Sequence, residues 1–389
     1  MRIGIDIRNI GKNRTGDETV FLELVKNLAV LQTAGTTFIL FTDTCDATKV
    51  THIKNVLEIV GKKNFTIVSL QSKNRFTWNA LTLPKYLRKN PVDIYHTQYI
   101  VPFFIPKKTK VITHIHDVSF AANPKWISFM DLFFLKRLMP QSLHRADAII
   151  AVSLFTKKEV MKYYGVPKEK IVVIYNAVPT NFESSSNRSI TARQLQLHRV
   201  REKYHLPKKY IFALGTMQPR KNIPFLMEAF ALIAEKIPDT SLVLSGTHTH
   251  NVDKKIERIF NKHRTIKGRM IFTGYIAQED LPYVYRCAHL FAFPSFYEGF
   301  GIPLLEAMHS DVPVLASDIP PHRELVGDAA LLAPTEDLVA FSQSLYTLCT
   351  NESIRERFRL RGKKQVRVFS WEKSAKKLLR LYNVLLKRT

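Results

Sequence analysis

Pro294-Ser295-Phe296-Tyr297-Glu298-Gly299-Phe300-Gly301-Ile302-Pro303-Leu304-Leu305-Glu306 is the stretch from which both the fold and the site can be read. The apolar run 288–293 before it has the length and composition of a buried strand. The pattern after it is helical from Leu304 to Met308, opened by Pro303 at a position that suits the first helical residue. A strand, a glycine loop and a helix start present unpaired backbone N–H groups and a positive dipole end, a setting for an anion or a ring of hydroxyls. Gly299 and Gly301 let a ligand approach the backbone. Two carboxylates bracket the loop: Glu298 within it and Glu306 in the expected first helical turn. Paired acceptors suit the vicinal hydroxyls of a sugar or ribose. The plain alternative is turn chemistry plus an acid placed to favour the helix dipole.

The chain of 389 residues exceeds one ordinary core, so two domains are expected. Cys45, Cys287 and Cys349 have no ligand-like spacing, which points to a reducing compartment and excludes a disulfide framework. The first residues, Met1 to Asp6, read as a strand and not as a signal peptide, and no apolar run approaches the ~20 residues that span a bilayer. Together these features point to a cytoplasmic protein. The net charge of +25, from 58 Lys and Arg against 33 Asp and Glu, favours a polyanionic partner. Nucleic acid is the weaker choice, because the basic residues are spread along the chain and no nucleic-acid module is present. An anionic membrane surface or an anionic acceptor fits better.

Strand-like runs recur at 2–7, 38–41, 65–68, 93–96, 110–113, 148–152 and 171–174, mostly separated by helical stretches. Alternation of this kind implies a parallel sheet covered on both faces. The loop Gly11 to Glu18 follows the first run and precedes a helix, an arrangement suited to phosphate, and the absence of G-x-G-x-x-G argues against a nicotinamide cofactor. His116-Asp117 follows the fifth run. An imidazole and a carboxylate beyond a strand's carboxyl end can polarise or orient a hydroxyl. His114 is expected on the opposite strand face, in a structural role. The span Asn123 to Arg137 repeats apolar and aromatic residues with helical period beside Lys136 and Arg137. It reads either as a helix on a bilayer surface or against a lipid-linked acceptor, or as a helix packed into the core. A linker is expected over 181–207, with a short helix from Ala192 to Tyr204 inside it. The second domain then starts at the strand 210–214, and Gly215-Thr216-Met217-Gln218-Pro219-Arg220-Lys221 follows. Adjacent cations at a strand-to-helix loop can neutralise a diphosphate and the charge that grows on a departing phosphate. Further strands are read at 242–246, 270–274, 312–316 and near 330–332.

The span Phe272 to Glu306, with its Glu-x7-Glu pair, its Gly-Phe-Gly and its Pro-Ser, resembles the donor site of retaining nucleotide-sugar glycosyltransferases of family four, a group 1, mannosyltransferase-like class. The resemblance runs over nearly the whole chain. It implies an α/β chain of GT-B fold: two Rossmann-like, doubly wound parallel-sheet domains facing a cleft. The expected organisation is an acceptor-binding domain over 1–180 joined by a crossover helix at 371–389, a linker over 181–207, and a nucleotide-sugar domain over 208–370. His116 would lie near the donor sugar, with Asp117 holding it. Lys221 matches the family's phosphate-binding lysine. The family's arginine directly after the glycine Gly215 is Thr216 here, so Arg220 is taken to supply the second charge. Tyr275 and Ile276 would meet the nucleobase through backbone contacts. Glu306 would bind ribose hydroxyls, and Glu298 with the amides from Gly299 through Phe300 to Gly301 would bind sugar hydroxyls. In the first loop only Gly16 matches the family's glycines; Asp17 and Glu18 stand where carboxylates would repel phosphate.

The resemblance implies transfer of a sugar, with mannose from GDP-mannose the first candidate, to a saccharide or lipid-linked saccharide with retention of configuration. The nucleoside diphosphate sugar is a substrate, and no cofactor is implied. The absence of Asp-x-Asp argues against an obligatory metal. A peripheral position on the cytoplasmic membrane face fits such an acceptor. The competing readings are a GT-B epimerase or phosphorylase, which would turn over without a sugar acceptor, and a non-catalytic binder of nucleotide sugars or of membrane surfaces.

Overall fold

The computed structural model describes residues 1–12, 16–31, 33, 35–186, 190–246 and 253–387. The centre of the first loop, 13–15, lies outside the described residues. The chain forms two compact units. The first comprises Met1–Ala121, Phe129–Asn176 and the segment from Ser370 onward; the second comprises Ala122–Ser128 and Ala177–Phe369.

The first unit holds a parallel sheet of seven strands: β1 (Arg2–Asp6), β2 (Thr37–Thr42), β3 (Phe65–Ser69), β4 (Ile94–Gln98), β5 (Lys110–Ile115), β6 (Ala148–Ala151) and β7 (Ile171–Val173). Their order is β3-β2-β1-β4-β5-β6-β7. The central strands are largely buried, as expected where helices cover both faces, with the polar residues His96, Thr97, Thr113 and His114 among their apolar ones. The chain reverses its winding between β1 and β4, which are paired from Ile3 with Ile94 to Ile5 with His96. Ligands of such sheets bind beyond the strand ends at this switch point. The last helix, Trp371–Lys387, packs on the helix Asp17–Val30 and buries Leu378, Tyr382 and Leu385. The Tyr382 hydroxyl and His96 Nδ1 are 2.8 Å apart.

The second unit holds β8 (Tyr210–Leu214), β9 (Ser241–Ser245), β10 (Met270–Gly274), β11 (Leu290–Phe293), β12 (Val314–Ser317) and β13 (Leu331–Ala333) in the order β10-β9-β8-β11-β12-β13, all parallel. Its switch point lies between β8 and β11. The helix Ile223–Ile233 is apolar almost all round and sits in the core through Leu226, Met227, Ala229 and Phe230.

Two expectations are corrected. Residues 181–207 are not a linker. They belong to the second unit and lie largely in the helices Thr180–Ser186 and Ile190–Lys203. The physical reason is Asp280, whose fully buried carboxylate accepts from Arg199 at 2.6 Å, Lys203 at 2.6 Å and the Tyr204 hydroxyl at 3.0 Å. A buried carboxylate needs such partners, and they fasten the second of these helices to the start of the helix Leu281–Cys287. The span 123–137 is not one helix. Pro124–Trp126 is a single 3-10 turn in the second unit, and the helix Phe129–Arg145 starts the next part of the first. The first turns of that helix do not enter the core: Phe129 is 80% exposed and Phe133 57%, while Met139 and Leu143 further on are buried.

Gly246, directly after β9, makes a close backbone approach. A Cβ built on it would lie 1.7 Å from the Gly215 carbonyl oxygen, which follows β8. No side-chain rearrangement relieves a clash with backbone, so Gly246→Ala is expected to lower the melting temperature by roughly 5–10 °C. A melting temperature in differential scanning calorimetry equal to that of the unmodified chain would show that this approach is not required.

Candidate functional site

In the second unit the loops after β8 and β11 meet across the switch point. Lys221 Nζ donates to Glu298 Oε1 at 2.6 Å, and Arg220 Nη1 donates to Glu298 Oε2 at 3.0 Å. Arg220 Nη1 also reaches the Tyr297 carbonyl at 3.1 Å, and the Phe296 amide donates to the Arg220 carbonyl at 2.9 Å. The Lys221 stem lies along Gly215, and its ammonium sits 4.9 Å from the centre of the Phe293 ring. Glu298 is 7% exposed, yet it is buried against these cations and not against apolar interior. Burial alone would raise its pKa; the charges of Lys221 and Arg220 overrule that and hold it at about 2.

This arrangement adds a bond between groups that the sequence reading treated separately. The carboxylate assigned to sugar hydroxyls and the cations assigned to phosphates are bonded to one another in a single ion triad. A triad with two cations and one anion keeps a net positive charge at the strand ends.

Gly301, at φ 111°, turns the chain into the helix Ile302–His309, whose start carries no side-chain cap. Pro303 is thus the second helical residue, and Glu306 stands in the second turn, not the first. Glu306 is 6% exposed and its Oε2 accepts from the Tyr285 hydroxyl at 2.9 Å. Burial, only partly offset by that hydrogen bond, pushes its pKa up to about 7. Phe300 is buried with its ring edge-on to Phe369, so its side chain serves packing, and only its backbone faces the loop's task. Tyr275 is 42% exposed and Ile276 is buried, both just after β10. Thr216 follows Gly215 in the turn after β8. Behind the loop, Ser317 Oγ donates to the Ser295 carbonyl at 2.5 Å, and His322 Nδ1 lies 2.9 Å from the Ser317 carbonyl. Burial brings the His322 pKa down to about 4.

In the first unit His116 lies just past β5, with its Nε2 3.0 Å from Gln98 Oε1. Its ring stacks on His114 at 4.9 Å and 12°, and His114 stacks on His96 at 5.7 Å. The expectation for His114 was wrong about the face: residues two apart on a strand share a side of the sheet. Its structural reading fits its complete burial, which drives its pKa well down. Asp117 does not hold His116. Its Oδ1 accepts from the Ser119 amide at 2.9 Å and the Ser119 hydroxyl at 2.8 Å, closing the turn into the helix Ser119–Ala122. Gly16, at φ 38°, is the residue before the helix Asp17–Val30. Sequence reasoning missed Tyr285, Asn9 and Gln98. Only Gln98 had a readable signal, as a polar residue ending an apolar strand.

Two doubly wound parallel sheets, with a cationic corner at the switch point of the second, define the GT-B class of nucleotide-sugar enzymes. The comparisons agree. Residues 15–182 match glycosyltransferase family 4, and residues 197–365 match glycosyl transferases group 1. The chain is 32% identical over 286 residues to the O-antigen chain mannosyltransferase B of Escherichia coli, covering 73% of each protein. It is 27% identical over 277 residues to the serotype-specific mannosyltransferase WbdA of Escherichia coli, covering 70% of this chain but 33% of that protein. The crystal structure of a glycosyltransferase from Rickettsia africae ESF-5 has a TM-score of 0.73 at 18% identity, covering 100% of this chain and 99% of that one. The chain belongs to the family 4, group 1 glycosyltransferases.

The raised pKa of Glu306 has a signed consequence. Between the ordinary value of 4.5 and about 7 the folded protein keeps a proton that the unfolded chain releases. The associated stability is present below that window and is lost as pH rises through about 7, up to ~3 kcal/mol. Glu306→Gln is expected to flatten this fall, so that the variant is at least as stable as the parent at pH 8. Urea midpoints from pH 5 to 8 measure it, and parallel curves for the two proteins would reject the assignment.

Proposed function

We propose that this enzyme moves a mannosyl residue from a nucleoside diphosphate donor, GDP-mannose first, to a saccharide or lipid-linked saccharide, with retention of configuration. The observation that carries the donor assignment is the Glu298 triad with Lys221 and Arg220 at the β8–β11 switch point. The likeness to an O-antigen mannosyltransferase supports the choice of sugar. Lys221 and Arg220 take the diphosphate and stabilise the charge that grows on the leaving phosphate. The amides at 299–301 and the start of the following helix assist. Glu298 orients the two cations and offers its remaining acceptor capacity to sugar hydroxyls. Glu306 keeps one oxygen for ribose, since Tyr285 takes only Oε2. Tyr275 and Ile276 offer backbone groups to the base. In the first unit Gly16 opens the helix beside the phosphate-type loop, and His116 handles a hydroxyl at the reacting sugar. No second carboxylate is assigned as nucleophile: the departing phosphate oxygen takes the acceptor proton as the new glycosidic bond forms on the same face. No metal is assigned.

The acceptor side suggests a peripheral position at the cytoplasmic membrane face. Phe129, Met130, Phe133 and Phe134 are 80, 61, 57 and 48% exposed on one helix that also carries Lys136 and Arg137. An apolar face beside cations, on a chain of net charge +25, suits an anionic bilayer surface. No helix among the described residues is long and apolar enough to cross a membrane.

Lys221→Ala and Glu298→Ala are each expected to lower kcat at least ~100-fold in transfer from GDP-mannose to a saccharide acceptor. Calorimetry with GDP- and UDP-sugars should rank GDP-mannose first. Unchanged turnover in both variants removes the site assignment, and tighter binding of a UDP-sugar replaces the donor. Separately, Phe129→Ser with Phe133→Ser should cut sedimentation with anionic phospholipid vesicles roughly tenfold. Equal sedimentation would remove the membrane assignment and leave the donor site standing.

A further inference from the structure

The switch point of the first sheet is bridged by neutral amides that start from a carboxylate. Asp17 Oδ1 accepts from the Glu18 amide at 3.1 Å, and Asp17 Oδ2 accepts from Asn9 Nδ2 at 3.0 Å. The same Asn9 nitrogen lies 3.4 Å from Gln98 Oε1, and that same oxygen lies 3.0 Å from His116 Nε2. Asn9 follows β1 and Gln98 ends β4, the two strands that flank the switch point. This polar chain uses Asp17, one of the two acids that displaced the family's glycines. Glu18 is used next to it, accepting from the Gly11 amide at 2.7 Å.

The direction of every bond in the chain follows from its first member. An ionised carboxylate only accepts, so the Asn9 atom facing it is the NH2 group. An NH2 group only donates, and it has a second hydrogen for Gln98, so the Gln98 atom it meets is the carbonyl oxygen. That oxygen only accepts, so the His116 Nε2 it meets carries a proton. A neutral imidazole has one proton, and the lone pair therefore falls on Nδ1. The ring plane is set independently by stacking on His114 and by the Tyr99 ring at 5.6 Å.

We propose that Asp17, acting through Asn9 and Gln98, fixes His116 in the Nε2–H form and thereby puts the ring's acceptor lone pair on Nδ1. Asp17, Asn9 and Gln98 are positioning residues; none of them is assigned a contact with the reacting atoms. The acid in the first loop then serves to set a tautomer and not to bind phosphate. The consequence for catalysis rests on the hydroxyl-handling role given to His116 above; the tautomer itself does not.

The test is two-bond 1H–15N spectroscopy of the full chain labelled with 15N-histidine, recorded where the His116 ring is neutral. Its signals are identified by their loss in His116→Asn. Nε2 is expected at the shift of a protonated nitrogen and Nδ1 at that of a bare one. The paired exchange Asn9→Asp with Asp17→Asn keeps composition and charge but reverses every donor and acceptor. The carboxylate now at position 9 accepts from the Gln98 NH2, that NH2 faces Nε2, and the proton moves to Nδ1. The two shifts should exchange, and kcat should fall at least ~10-fold with little change in the donor KM. Should the exchanged protein not fold, Gln98→Glu sets a carboxylate against Nε2–H and should raise the pH midpoint of the His116 signals by ~1 unit. A proton on Nδ1 in the unmodified protein, unmoved shifts in the exchange, or an unmoved midpoint in Gln98→Glu overturns the proposal. Exchanged shifts with unaltered turnover sustain the chain of bonds and instead remove the hydroxyl-handling role from His116.

Discussion

One buried carboxylate between two adjacent cations organises the second unit. Arg220 and Lys221 are neighbours in sequence at a strand end with little solvent, where their mutual repulsion is poorly screened. Glu298, 77 residues from Lys221, relieves it by taking one cation on each oxygen. The cost of burying its charge is offset by that pairing, and removing Glu298 would leave two adjacent cations uncompensated. The result is geometric as well as electrostatic. The loops after β8 and β11 become one structure across the switch point, with both cations directed before any substrate arrives. Fixed charges of this kind need no reorganisation when negative charge develops.

The first unit pairs one buried carboxylate, Asp6 at the end of β1, with the single cation Arg8, and Tyr95 and Thr97 of β4 donate to the same Asp6. Its switch point is crossed by Asn9 and Gln98, and the charge in that run of bonds stands at its outer end on Asp17. Beneath it, His96 and His114 are buried neutral bases, with burial lowering the pKa of His96 to about 3. Protonating both would set like charges 5.7 Å apart. An amide bridge transmits donor and acceptor identity over distance while adding no net charge of its own. Thus the β8–β11 switch point carries an excess of positive charge, while the β1–β4 switch point carries a balanced ion pair and a directed run of amides.

The strands were legible because a parallel sheet covered on both faces demands continuous apolar runs, and those runs are plain in Ala148–Ala151 and Leu290–Phe293. The loops that carry Lys221 and Glu298 were legible for the same reason, since each follows such a run. Their mutual bonding was not, because it depends on β8 and β11 being neighbours in the sheet while β9 and β10 intervene in sequence. Residues 181–207, part of the second unit, misled through composition. Their polar, basic helix looks like a linker until Asp280 shows what the arginine and lysine are for. Asp117 misled by adjacency: a short side chain after a strand turns more readily to the amide two residues on than back to its neighbour. The exposed aromatics at 129–134 obey helical period, and period alone cannot say whether an apolar face meets a core or something outside the chain.

The two glutamates of the motif are not equivalent, and their difference follows from where the helix begins. Glu298 precedes the glycine turn and faces two cations, so it stays ionised down to about pH 2. Glu306 lies beyond the turn, in the body of the helix, where its side-chain partner among the described residues is a phenol that brings no charge. Burial raises its pKa to about 7, so that carboxyl holds a proton far more readily than an ordinary glutamate. An ionised carboxylate only accepts hydrogen bonds, whereas a carboxyl near its pKa can accept or donate as a neighbour requires. The spacing that looked in the sequence like a pair of identical acceptors is therefore one permanent anion, which holds the cations, and one carboxyl able to accept or donate, a property that fits the ribose role proposed for it.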